Sequence, residues 1–290
     1  MSVQRGVFGG QAVIEGVMMR GPKWMAIAVR RPDGDIAVHR EEVRSLMQRY
    51  PILRFPILRG MVAMVEALTL GISALMFSAS QAMPEEEQLS KGEMTMTTAL
   101  GFVLAIVLFV VVPTLLTNYV KALSVTPLVT HVVEGGLRLA IFIGYLVGIS
   151  LMKDIQRVFQ YHGAEHKVIN AYEAGDELTV ENVRRHSREH KRCGTSFLLY
   201  VVVISILIFS IINVDNVWLR VVARLGMLPL VAGVAYEWIR LAGRHENALV
   251  NALSRPGMWL QGLTTREPDD SQLEVAIASF ETARGHGLPG

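Results

Sequence analysis

Residues 97–120 read TTALGFVLAIVLFVVVPTLLTNYV, a run from Thr97 to Val120 without a single charge. An α-helix rises about 1.5 Å per residue, so this run reaches about 36 Å, more than the roughly 30 Å hydrocarbon core of a bilayer. That reading sets the class as an α-helical membrane protein, and the rest of the chain is read outward from it. Ser196 to Asn213, SFLLYVVVISILIFSIIN, is equally free of charge and just long enough to span. Val132 to Met152 carries Glu134 and Arg138 near one end, where both are expected to snorkel to the headgroups. Leu225 to Ala242 follows Arg220 and Arg224 and ends in Glu237-Trp238-Ile239-Arg240, an interface-like finish. Ile57 to Ser80 holds Arg59 and Glu66. A carboxylate in mid-segment is costly in lipid, so Glu66 is expected to face protein or water. Over 290 residues the chain is 51% apolar and 19% charged, below the roughly one quarter charged of soluble domains. This excludes disorder and collagen-like fibres, and the lone cysteine, Cys193, excludes an intrachain disulfide scaffold.

Charge between the apolar runs orients them. Residues 1–59 hold ten Lys or Arg, residues 153–195 hold eight, and the tail from Arg240 holds five, against net +2 overall. Basic loops stay in the cytoplasm, which demands an even number of crossings before residue 153. The first residues lack an apolar core and cleavage site, so no secretory signal is expected and both termini are expected in the cytoplasm. The architecture expected is mainly α and polytopic. It has about four transmembrane helices in two hairpins, one re-entrant or interfacial helix, a small N-terminal β unit and a cytoplasmic helical region. The segments are a β-rich 1–56, an interfacial, re-entrant or spanning helix at 57–80, a first hairpin at 97–152, a His-rich helix–turn–helix at 153–195, a second hairpin at 196–242, and a cytoplasmic tail at 243–290.

In the N-terminal segment, Ala12–Met19, Trp24–Arg30 and Asp35–Arg40 are β-favouring runs, with Pro32-Asp33-Gly34-Asp35 as a hairpin turn. Lys153 to Ala174 reads as a helix stopped by Gly175, and a second helix is expected from Thr179 to about Lys191. Arg255-Pro256-Gly257-Met258-Trp259 reads as a loop. Asp269-Asp270-Ser271 caps an amphipathic helix, Gln272–Ala283, whose Leu273, Val275, Ala276 and Phe280 can dock on the cytoplasmic domain.

Four of the eight histidines fall between His162 and His190. His162-Gly163-Ala164-Glu165-His166 fits H-x-x-E-H: on a helix, residues four apart share a face, so both imidazoles can reach one cation, with Glu165 beside them as a general base. Glu173 lies further along that face. His186 and His190 repeat the spacing, and Cys193 follows one turn later. These are ligand types that Zn²⁺ or another divalent transition metal accepts. The plainer readings are a chance match, a basic face around Arg184–Arg192 beside anionic lipid, and a cysteine that only packs. Glu15, Glu237 and Glu246 are further carboxylates that could complete a site. Neither a Walker loop, a G-x-S-x-G elbow nor a dinucleotide fingerprint is present, which argues against nucleotide hydrolysis, α/β-hydrolase chemistry and nicotinamide redox chemistry.

Several blocks resemble the YqhQ-like family of bacterial integral membrane proteins, a domain of unknown function: residues 9–22 (GGQAVIEGVMMRGP), Tyr161–Lys167, Arg185-His-Ser through Arg192–Phe197, Pro256–Thr265 and Glu267–Ala276. The resemblance runs over nearly the whole chain. It implies a bacterial inner membrane and a metal-dependent enzyme without a defined substrate, and it places His162, Glu165, His166, His186, His190 and Cys193 inside the family's motifs.

The function expected is a divalent-metal site on the cytoplasmic face, ligated by His162 and His166 with one or more of Glu173, His186, His190 and Cys193. If catalytic, it would hydrolyse a lipid-linked or membrane-proximal substrate with Glu165 as base. The alternative is a non-enzymatic scaffold or biogenesis factor, with the metal as a staple, engaging the translocation machinery or a ribosome. A small-solute transporter ranks third. Expected partners are the bilayer and its anionic headgroups, and a membrane-protein partner or second copy of the chain. Nucleic acid is expected only through a ribosome.

Overall fold

The computed structural model describes residues 8–84, 88, 90–122, 127–212, 214, 216–242 and 247–285. Glu246 and the acidic run Glu85–Glu87 lie outside them. The chain is mainly helical, with a small N-terminal antiparallel sheet and, among the described residues, four helices long and apolar enough to cross a membrane.

The sheet comprises β1 (Gly9–Val13), β2 (Gly16–Arg20), β3 (Trp24–Arg30) and β4 (Ile36–Glu42) in sequential order. The run read as one strand, Ala12–Met19, is two. Glu15 adopts a left-handed φ of 51° and turns the chain, so that Ala12 pairs with Val17. The turn at Pro32–Asp35 lies where expected, with Gly34 at φ 94° and the Arg31 N–H donating to the Asp35 carbonyl at 2.8 Å. Strand alternation sends residues to two separate cores. Val17, Met19, Ala26 and Ala28 face one way, and Met18, Met25, Ile27 and Val29 face the other.

After a single turn, α1 (Leu46–Arg49), and a 3₁₀ turn at Pro51–Arg54, helix α2 (Leu58–Ala82) covers the second face with Leu70, Ala74 and Phe77. Ile57 enters it at φ 69°, rare for a β-branched residue. Its N–H donates to the Glu237 carboxylate at 3.3 Å. Next come α3 (Lys91–Ile106), a π turn at Val107–Val111, α4 (Val112–Ala122) and α5 (Pro127–Ser150). Helices α3 and α4 form one rod; Pro113 brings no N–H to its ladder, and the π turn directly before it absorbs the mismatch.

Two shorter helices, α6 (Lys153–Ala174) and α7 (Val180–Arg184), lead into α8 (Gly194–Ser210) and α9 (Val217–Ala242); α10 (Ala248–Thr264) and α11 (Asp270–Arg284) complete the chain. The helix expected up to Lys191 stops at Arg184. Arg255–Trp259 is helical, where a loop is expected: α10 runs through Pro256 because that turn packs on α8, with Gly257 set against Ser196 and Tyr200. Helix α11 is capped reciprocally by Asp269 and Gln272. It docks Leu273, Val275, Ala276 and Phe280 with α6 onto the first sheet face.

Membrane-span length and apolarity are met by Leu58–Ala82, Gly92–Tyr119, Val132–Ser150 and Val217–Ala242, while α8, at 17 residues, is shorter. Glu134 and Arg138 do not snorkel. Both are buried and paired at 2.7 Å, and Arg224 joins the same carboxylate at 2.6 Å while donating to the Thr114 hydroxyl. Charge in lipid persists when neutralised this way.

Candidate metal centre

Helix α6 presents its polar residues in register. His162 Nδ1 donates to the Thr264 carbonyl at 2.8 Å, and His166 Nδ1 donates to the Arg188 carbonyl at 2.6 Å. A carbonyl only accepts, so each bond sets the ring's tautomer and leaves Nε2 as a bare acceptor. Second-shell carbonyls of this kind are what orient histidine ligands in metal sites. Cys193 Sγ lies 3.2 Å from His162 Nε2. Ligand atoms of His162, His166 and Cys193 all fall within 4.8 Å of one another, and the three are buried. Around a tetrahedral Zn²⁺, ligands at about 2.0–2.3 Å stand about 3.3–3.8 Å apart, so the Cys193–His162 pair at 3.2 Å would open slightly and the longer separations, up to 4.8 Å, would close by as much as about 1 Å.

The loop that delivers Cys193 is strapped to α6 by side chains. Lys167 Nζ, itself buried, donates to the carbonyls of Arg184 and His186 at 2.9 and 2.8 Å and pairs with Glu267 at 2.6 Å. Asn170 Nδ2 donates to the carbonyls of Ser187 and Glu189. Gln261 on α10 both accepts from the His190 N–H at 2.8 Å and donates to its carbonyl at 2.9 Å. Carbonyls held this way are withdrawn from a helical ladder, which is why the second helix ends early. Cys193 then caps α8, its sulfur accepting from the Thr195 N–H and lying 3.0 Å from the Thr195 hydroxyl. Next to His162, Gly163 is pressed against the Arg266 carbonyl, where a Cβ would collide.

Among the residues expected to ligate, the structure brings together His162, His166 and Cys193. It places the other three elsewhere. Glu173 pairs with Arg192 and lies 3.7 Å from His190 Nε2. His190 is buried against Glu173 with its ring centroid 5.7 Å from that of His166, and burial lowers its pKa. His186 turns outward onto Asp176 at 2.8 Å. The i,i+4 argument for His186 and His190 fails because no helix joins them. Glu15 pairs with Arg157, and Glu237 with Arg59. In the basic stretch, Arg184 pairs with Asp270, Arg185 with Glu181 and Arg192 with Glu173.

Glu165 is fully buried, and burial pushes its carboxyl up to about 7 despite His162 and the Gly10 N–H, which favour the charged form. It lines a cavity of about 480 Å³ with His166, His190 and Cys193. Lys167, Asn170, Gln261, Thr264 and Thr195 were not singled out from sequence. The signal for Gln261 and Thr264 is present: they are the polar residues among Met258, Trp259, Leu260 and Leu263.

Helices long and apolar enough to cross a membrane thus accompany a sheet-and-helix unit that carries a His–His–Cys cluster beside a cavity, the build of a helical membrane-type protein. The family model described as Protein of unknown function (DUF1385) matches residues 55–286, and the chain belongs to that family. It is 36% identical over 288 residues to the Uncharacterized protein YqhQ of Bacillus subtilis (strain 168), covering 94% of this chain and 91% of the relative. No solved structure matches it.

Proposed function

We propose that this chain is a bacterial inner-membrane, metal-dependent hydrolase whose reacting centre sits at the cytoplasmic face. The observation that carries the reading is the gathering of His162, His166 and Cys193 within 4.8 Å, with each histidine's Nδ1 held by a backbone carbonyl and His162 Nε2 at 3.2 Å from Cys193 Sγ. A divalent ion such as Zn²⁺ held by these three atoms supplies Lewis-acid activation of a carbonyl and of water. Three protein ligands leave a fourth position, as in catalytic zinc sites. Glu165, within the same cavity, takes the proton from the attacking water. That oxygen joins the acyl carbon, the ester or amide bond breaks, and the leaving oxygen or nitrogen departs with the proton Glu165 holds.

The scaffold reading with a closed structural ion requires His190 to leave Glu173 and become the fourth ligand. Its surface argument is weakened by the ion pairs that already neutralise Arg184, Arg185 and Arg192. A second catalytic reading draws on the 3.2 Å contact between Cys193 Sγ and His162 Nε2, the geometry of a thiol nucleophile and its base.

Elemental analysis of the purified full-length protein decides among these. Near one equivalent of zinc or another transition metal is expected, with Cys193→Ser and His166→Ala each lowering metal affinity by at least about tenfold. A folded protein that carries no metal and is alkylated at Cys193 would replace this reading by the thiol one. Glu165→Gln is expected to retain the metal and lose the function in cells; full complementation by that variant would favour the scaffold.

A further inference from the structure

The sheet, α6 and α11 share one apolar core, and one core lies on one side of a bilayer. The chain between the sheet and α6 therefore crosses an even number of times. The rod of α3 and α4 and helix α5 supply two crossings, which leaves none for α2. Its contacts agree. Glu66 of α2 accepts from Arg20 and Ser45, Ser78 accepts from the Ile14 N–H, and Gln81 accepts from Arg31, so α2 lies along the sheet for most of its length. The other side of α2 exposes Val65, Leu68 and Leu75, three and seven residues apart and thus on one helical face. Gly60 allows α2 to meet the α9 backbone at Gly233, and Arg59 pairs with Glu237, so α2 starts at the end of a membrane span. A helix bonded to an extramembrane sheet on one side and apolar on the other lies in the membrane surface.

The 480 Å³ cavity lies between this helix and the His–His–Cys cluster, within the size range of small-molecule sites. Its reacting end holds His166, Cys193 and Glu165. Its apolar lining comes from Ala63, Met64 and Ala67 of α2, Ile239 of α9 and Phe197 of α8, one turn on from Cys193. Both arginines on its wall are already paired, Arg20 with Glu66 and Arg192 with Glu173. Such a lining suits an uncharged acyl carbonyl better than a free phosphate.

We infer that the cavity takes an acyl amphiphile that enters sideways from the bilayer beneath α2. The apolar chain lies on Ala63, Met64 and Ala67, and the ester or amide carbonyl meets His166 and Cys193. The reacting end rests on the proposed metal centre, whereas the apolar end rests on packing alone.

The test uses the full-length protein in phosphatidylethanolamine–phosphatidylglycerol vesicles with a trace of phosphatidylglycerol bearing a diazirine at one chain end. After irradiation, cavity label is expected on Ala63, Met64, Ala67 and Phe197, separate from the bulk-lipid label on α3 and on Val65 and Leu68. Ala63→Trp and Ala67→Phe fill the apolar end and should each cut the cavity label about tenfold, with label on α3 and metal content unchanged. Equal cavity label in both variants, or label confined to α3, Val65 and Leu68 in the wild type, overturns the inference. His166→Ala should lose metal and keep the label. A wild type without metal but with cavity label would end the metal reading and leave the amphiphile site standing.

Discussion

His162 and His166 were legible as a pair because a spacing of four is a geometric statement about a helix, and α6 is that helix. What the spacing does not contain is the partner of each Nδ1. Those partners are carbonyls of residues 188 and 264, and any residue type carries a carbonyl, so the side-chain alphabet is blind to them. Glu173, His186 and His190 are suitable ligands by type, yet Arg192 and Asp176 reach Glu173 and His186 first. Because Lys167 holds the loop by two carbonyls, Lys167→Met should loosen the Arg188 carbonyl and weaken metal binding roughly 10–100-fold in a chelator competition, as second-shell losses do. Glu165 gives a pH signature in the metal-free protein. Its carboxyl is raised from 4.5 to about 7 in the folded state, so the folded protein binds a proton in that window that the unfolded chain lacks. Stability of the metal-free protein should therefore fall as pH rises through the window, and Glu165→Gln should flatten thermal-unfolding midpoints between about pH 5 and about pH 8.

Among the elements, the spans and the tail helix were readable because long uncharged runs and a capped amphipathic period each have a single economical reading. Ala12–Met19 misleads because Val13-Ile14 and Val17-Met18-Met19 favour strand on either side of Glu15-Gly16, the pair at which a left-handed Glu15 turns the chain. Pro256-Gly257 looks like a breaker, but packing on α8 overrides local preference. Phe280 is wholly buried where α11 meets the sheet and α6. Phe280→Ala should cost about 3–5 kcal/mol and expose α11 to limited proteolysis. Ala74 is equally buried between α2 and the second sheet face. Ala74→Leu should overpack that seam by about 1–3 kcal/mol, lowering the unfolding temperature and leaving metal content unchanged.

At the scale of the molecule, the basic segments pointed to an even crossing count, and the shared core of sheet, α6 and α11 leads to the same parity by a separate route. Reporter fusions at Gln88 and Ala174 should therefore both signal the cytoplasm; an external signal from Ala174 would break the parity, and one from Gln88 would make α2 a crossing. One consequence concerns synthesis. Strands made early are covered by α11, made much later, with the long apolar helices α3 to α5 and α9 synthesised in between. Until residues 270–284 leave the ribosome, Val17, Met19, Ala26 and Ala28 lack the Phe280 side of their shelter. A product cut short within the last spans thus keeps an uncovered apolar sheet, marking it for quality-control proteases, and the domain can close only around a chain whose insertion is finished.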